Sequence, residues 1–133
     1  MLYGVEDALD LERLAVGDSL HMHLRTELEA NNVLYASHAK CIYDFNRESS
    51  VHSKIKNAPN TSKARYITED VPYLFVPFCE LADLCGVDVP IAKALVTIAS
   101  YYNDEDYMKT GRTLAKMGFN HWTKQEILAF LES

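Results

Sequence analysis

The sequence predicts an all-α fold, a compact bundle of about six helices, and three observations predict it. Apolar residues recur three and four apart over most of the chain. No alternation of apolar and polar residues lasts more than a few positions, so nothing reads as a half-buried strand. Pro72, Pro77 and Pro90 stand at the front of apolar stretches and Gly86 stands behind one, the positions where helices start and stop. A length of 133 residues with 48% apolar content suits one domain, residues 1–133. Such a chain buries roughly two-thirds of its unfolded surface.

The first helix is predicted from Glu6 to about Glu29. Leu9, Leu11, Leu14, Ala15, Met22, Leu24 and Leu28 fall mostly at helical spacing, with Glu6, Asp7 and Asp10 at the positive end of the helix dipole. Asn31 or Asn32 is the expected cap of a second helix through Leu34, Tyr35, His38, Cys41, Ile42 and Phe45. Residues 46–64 turn polar and lose all period, and a loop of that length inside a compact domain is often functional.

Asp70, or Thr68 before it, is the expected cap of the next helix, with Pro72 in its first turn. Pro77 removes the bond to the Tyr73 carbonyl at a cost of roughly 3 kcal/mol, which predicts a kink, or a turn at 71–76 and a true helix from Pro77. Gly86 then closes that helix in the left-handed conformation and Pro90 opens another through about Tyr102. Asn103 or Asp104 is expected to cap a helix with the acidic first turn Asp104-Glu105-Asp106, ending at Gly118. Thr123-Lys124-Gln125-Glu126 reads as a capping box for a last helix to Ser133.

Composition excludes several functions. The net charge of −6 without a lysine or arginine run argues against nucleic acid as a partner. Cys41, Cys79 and Cys85 make neither an even disulfide framework nor a C-x-x-C pair, so reduced thiols in a cytoplasmic protein are expected. No stretch is long and apolar enough for a membrane span, and no signal layout opens the chain, so no membrane partner is expected. His21 and His23 are two apart, which on a helix points them away from each other, and His38, His52 and His121 stand alone, so no metal site is predicted. The aromatics Tyr66, Tyr73, Phe75, Phe78, Tyr101, Tyr102 and Tyr107 are expected mainly in the core.

Residues 65–77, RYITEDVPYLFVP, concentrate the chemistry: an arginine, two adjacent acids and two prolines between a polar loop and an apolar helix. A helix start favours the ionised form of Asp70, and Arg65 across a tight turn favours it further. The simplest reading is a capping aspartate beside a surface arginine.

That run, followed by Glu80-Leu81-Ala82-Asp83-Leu84-Cys85-Gly86-Val87-Asp88-Val89-Pro90 and then Gly111-Arg112-Thr113-Leu114-Ala115-Lys116-Met117-Gly118, resembles the C-terminal helical domain of the octopine/nopaline (opine) dehydrogenases, in the 6-phosphogluconate dehydrogenase-like group. Ala8-Leu9-Asp10-Leu11-Glu12-Arg13-Leu14-Ala15 is similar to the helix that follows that family's cofactor domain, so the resemblance spans nearly the whole chain. It implies an oxidoreductase that condenses an amino acid with a 2-oxo acid and reduces the imine with NADH or NADPH. The cofactor sits on a Rossmann domain, and the helical domain closes over it. The family's catalytic dyad pairs a histidine with an aspartate, helped by an arginine. The aspartate carries over to Asp70 and the arginine to Arg65, with Arg65, Glu69 and Tyr66 on the substrate side. A carboxylate bonded to imidazole fixes its tautomer and stabilises its protonated form.

Two parts of the family pattern are missing. Residues 1–10 hold no histidine where the family has its own, and Gly4, Gly17, Gly86, Gly111 and Gly118 form no G-x-G-x-x-G. The expectation is a truncated, separately encoded or degenerate half of such an enzyme, binding no dinucleotide itself and inactive alone. Its partners are then a Rossmann-type cofactor domain on the same or another chain, the amino acid and 2-oxo acid substrates, and a possible second copy. The alternative is a non-catalytic helical interaction or dimerisation module derived from the same fold.

Overall fold

The structure is a computed structural model that describes residues 4–54 and 59–132. All regular structure among the described residues is helical, and no strand occurs among them. The chain divides into two compact units, residues 1–58 and 59–133. Among the described residues eight α-helical segments stand where six were expected, because the run predicted through Phe45 splits in two and a short helix, Arg65–Thr68, forms ahead of the expected start at Asp70.

The first unit holds α1 (Val5–Ser19), α2 (Glu27–Leu34), α3 (Ile42–Glu48) and a 3-10 turn at His52–Lys54. The helix predicted to Glu29 stops ten residues early. The N–H groups of Leu20 and Met22 both turn back to the Gly17 carbonyl, at 3.0 and 2.9 Å, and His21 takes φ +58°. Gly17 permits the reversal: a Cβ there would lie 2.5 Å from the Leu24 side chain folded back over it. His21 is therefore an exposed turn residue and His23 an exposed residue of the connection after it, and they share no helix. The cap of α2 is Thr26, in a reciprocal box with Glu29, while Asn31 and Asn32 lie inside the helix. Ala36 at φ +49° breaks the run predicted through Phe45, and the Asn32 side chain grips both the N–H and the C=O of Ala39.

Acids of α1 organise this unit. Asp7 accepts the Ile42 N–H at 3.3 Å and Asp10 accepts the Glu27 N–H at 2.8 Å, so one helix supplies carboxylates to the first turns of the next two. Asp10 is buried and also paired with Arg13 at 2.7 Å. Val16, Leu20, Ile42 and Phe45 form the core of the unit.

The second unit holds α4 (Arg65–Thr68), a π turn (Val71–Phe75), α5 (Val76–Cys85), α6 (Pro90–Asn103), α7 (Tyr107–Thr110) and α8 (Lys124–Leu131). The turn at 71–76 predicted from Pro77 is the π turn, and α5 carries Pro77 in its first turn. Gly86 closes α5 at φ +72° and Pro90 opens α6, both as expected. The expected cap at Asn103 or Asp104 does not form. Asn103 is buried inside α6, donating to the Ser62 carbonyl at 3.0 Å and the Tyr107 hydroxyl at 2.8 Å, and Asp104 at φ +51° ends that helix. The helix expected to Gly118 is only the single turn α7. Lys116 closes its C-terminal end by donating to the carbonyls of Lys109, Thr110 and Gly111. The Thr123–Glu126 box opens α8 as predicted.

The core of this unit is Val71, Val76, Cys79, Ala82, Val89, Ala92, Val96, Ala99, Tyr107 and Ile127. Of the aromatics expected inside, Tyr107 is buried, whereas Tyr66, Tyr73, Tyr101 and Tyr102 are exposed. Small side chains at Cys79, Ala82, Ala92 and Ala99 take the buried positions of α5 and α6 instead. No helix among the described residues is long and apolar enough to cross a membrane.

Candidate functional site

Arg65, Tyr66, Glu69 and Asp70 are exposed on the ribbon that runs from α4 into the π turn, whereas Ile67 and Thr68 are half-buried. Arg65, Tyr66, Glu69 and Asp70 line one cleft of about 440 Å³. Helical spacing explains the grouping, since residues three to five apart share a face while Val71 and Pro72 turn inward to the core.

The guanidinium of Arg65 is held by Glu69, one turn later. Its Nε donates to Oε1 at 2.8 Å and its Nη2 to Oε2 at 3.0 Å, a bidentate fork along one edge of the plane. This hydrogen bond, with the charge attraction behind it, holds the Glu69 carboxyl below the usual carboxylate range and pushes Arg65 above its own. Asp70 adds a smaller upward pull on Arg65. The expected pairing of Arg65 with Asp70 is thus replaced by one with Glu69. An i,i+4 spacing of opposite charges was the signal for it in the sequence.

Asp70 is not a helix cap. Its backbone is helical at φ −67° and ψ −40°, and its side chain makes no capping hydrogen bond. Thr68 does not cap either: its hydroxyl donates back to the Ala64 carbonyl at 3.3 Å. There is no fresh helix start to cap, because the Tyr73 N–H already reaches the Glu69 carbonyl at 3.1 Å and carries the ribbon through. The simplest sequence reading of Asp70 therefore loses its ground, and an exposed carboxylate remains beside an arginine whose outer edge faces solvent.

Among the described residues no cluster of three histidines, cysteines or acids is arranged to hold a metal ion. All three cysteines are free thiols.

A family model described as the alpha-helical domain of NAD/NADP octopine/nopaline dehydrogenase matches residues 3–103. The chain belongs to that family. As a member of the opine dehydrogenase helical domains it is 34% identical over 110 residues to Protein ocs of Agrobacterium vitis, covering 83% of this chain and 30% of that relative. It is 32% identical over 109 residues to vitopine synthase of Allorhizobium ampelinum, covering 82% and 30%. It is 28% identical over 126 residues to opine dehydrogenase of an Arthrobacter species, covering 95% and 35%. The chain spans about a third of the length of these curated relatives. The matched stretch of the opine dehydrogenase helical domain includes the whole Arg65–Asp70 cleft and stops before the Gly111–Gly118 segment.

Proposed function

We propose that this chain is the substrate side of an NAD(P)H-dependent opine-type dehydrogenase, acting in the cytoplasm with a Rossmann-type cofactor domain to condense an amino acid with a 2-oxo acid. The observation that carries the proposal is the single cleft of Arg65, Tyr66, Glu69 and Asp70, built from the family-matched stretch. Asp70 serves as the carboxylate that orients a partner histidine and stabilises its charged form. Arg65 binds a substrate carboxylate. Glu69 occupies only the Nε edge of the guanidinium, so the two terminal nitrogens keep hydrogens for a second carboxylate while Glu69 fixes the plane. Tyr66, exposed at the rim, supplies an apolar face with a polar tip. The chain alone has no activity on this reading, since hydride and histidine both come from elsewhere.

The test is NADH or NADPH oxidation by the complete protein, given an amino acid and a 2-oxo acid together and then separately. Oxidation that requires both substrates is expected. Oxidation with the 2-oxo acid alone would mark a simple 2-hydroxy acid dehydrogenase and contradict the proposal.

A second reading, a non-catalytic interaction or dimerisation module, draws on the exposed Ile98, Tyr101 and Tyr102 along one side of α6. Sedimentation over a range of concentrations distinguishes it. A module built for self-association gives a dimer whose stability is unaffected by any change at Asp70.

A further inference from the structure

Pro77 leaves a gap in the backbone ladder beneath the candidate cleft. In the π turn, the Val76 N–H reaches back five residues to the Val71 carbonyl. The next donor in that register is residue 77, which would serve the Pro72 carbonyl, and proline has no N–H. Pro72 is buried, so water is poorly placed to fill the vacancy, and a buried carbonyl left unpaired is costly. The donor comes from 40 residues further along: the Arg112 N–H lies 2.7 Å from the Pro72 oxygen.

The approach works only because residue 111 is glycine. A Cβ on Gly111 would lie 2.6 Å from the Tyr107 carbonyl, 2.8 Å from the Pro72 carbonyl and 3.0 Å from the Val76 side chain. The need is for space: Gly111 has an ordinary extended conformation, φ −65° and ψ −177°. The segment is held from both sides. Gly111 donates to the Tyr107 carbonyl at 2.8 Å, and Lys116 binds the Gly111 carbonyl at 2.7 Å.

We infer that the Gly111–Arg112 pair is a positioning element for the Arg65–Asp70 cleft, a backbone splint in which the Arg112 amide replaces the hydrogen bond that Pro77 cannot make. Asp70 directly precedes the π turn, and Pro72 is two residues further on, so the splint fixes the ribbon that sets the direction of the Asp70 carboxylate. It acts through backbone alone. The Arg112 side chain has no part in it. The functional half of this inference rests on the reading of the cleft as a substrate site; the structural half does not.

The test compares Arg112→Pro, which deletes the donor, with Arg112→Ala, which keeps it. Gly111 is already extended, as a residue before proline must be; the proline ring takes the place of the amide hydrogen that meets the Pro72 oxygen, so this variant deletes the donor and also parts the two segments, and Pro77→Ala then supplies the freed carbonyl from its own ladder. Each variant is made with Pro77 and with Pro77→Ala, which returns an N–H to the ladder. In amide exchange on this chain, the Arg112 amide should be protected. Arg112→Pro should speed exchange at Tyr73 and Val76 by about tenfold, Arg112→Ala should stay within about twofold, and Pro77→Ala should remove most of the proline effect. A freely exchanging Arg112 amide, an alanine variant as damaging as the proline one, or no rescue by Pro77→Ala would each overturn the splint. In the complete enzyme, Arg112→Pro should lower kcat by about tenfold or more per folded molecule, with little change in KM for the cofactor, and Pro77→Ala should restore it. Asp70→Asn serves as the reference there. If it abolishes turnover while Arg112→Pro leaves kcat intact, the positioning role is wrong; if Asp70→Asn is itself silent, the site reading is wrong and the exchange results stand independently.

Discussion

Glu69 clasps Arg65 along the Nε edge, with hydrogen bonds of 2.8 and 3.0 Å, and leaves the terminal edge of the guanidinium facing the cleft. The arrangement turns a flexible surface arginine into an oriented one. Because both side chains are solvent-exposed, its value lies in geometry and not in stability.

The first prediction is a pH dependence of that clasp. The Arg65 hydrogen bond depresses the Glu69 value in the folded protein, so the clasp is complete above the ordinary glutamate value and is lost as pH falls through the lowered one. A carbon-detected NMR titration of the Glu69 carboxyl should show a midpoint below that of a free glutamate, moving up in Arg65→Gln. An unchanged midpoint in the variant would mean that the two side chains are not paired in solution.

A second prediction concerns the start of α2. Thr26→Ala removes a reciprocal cap and should cost about 1 kcal/mol in thermal or urea unfolding. Asn31→Ala, in the interior of the same helix, should be nearly neutral or mildly favourable. The opposite order would restore the boundary that apolar spacing alone suggests.

These two cases show what the sequence makes legible. Pro77, Gly86, Pro90 and the Thr123 box act through their own backbone or within three residues, and each of those boundaries was readable in advance. The reversal at Gly17 was not, because apolar spacing runs on through Met22 and Leu24 while the decisive contact is Leu24 folding back over the glycine. Nor was the role of Asn103, whose partners Ser62 and Tyr107 are fixed only by the tertiary fold. At the cleft, Arg65, Tyr66, Glu69 and Asp70 were named from the family resemblance and the structure places them along one cleft, but the assignment of Asp70 as a cap failed. That assignment needed a new helix to begin there, whereas the π turn carries the old one onward.

Cofactor binding supplies a third prediction. The five glycines form no G-x-G-x-x-G, and among the described residues there is no strand–turn–helix to cradle a pyrophosphate. Calorimetric titration of NADH and NADPH into the isolated chain should detect no binding. Micromolar affinity for either would place part of the cofactor site on this domain.

The central claim, that Asp70 is a catalytic carboxylate and no structural cap, is tested most directly by Asp70→Asn in the complete enzyme, measuring reductive condensation beside the melting temperature. Asp70 makes no cap bond, so stability should change by less than about 0.5 kcal/mol. An amide cannot stabilise the charged form of a partner imidazole, and the equivalent change in a Ser–His–Asp triad lowers kcat by roughly 10⁴. The account predicts a protein that melts at the parental temperature with turnover reduced by about three to four orders of magnitude. A variant that melts early, with a folded fraction turning over at the parental rate, would contradict it.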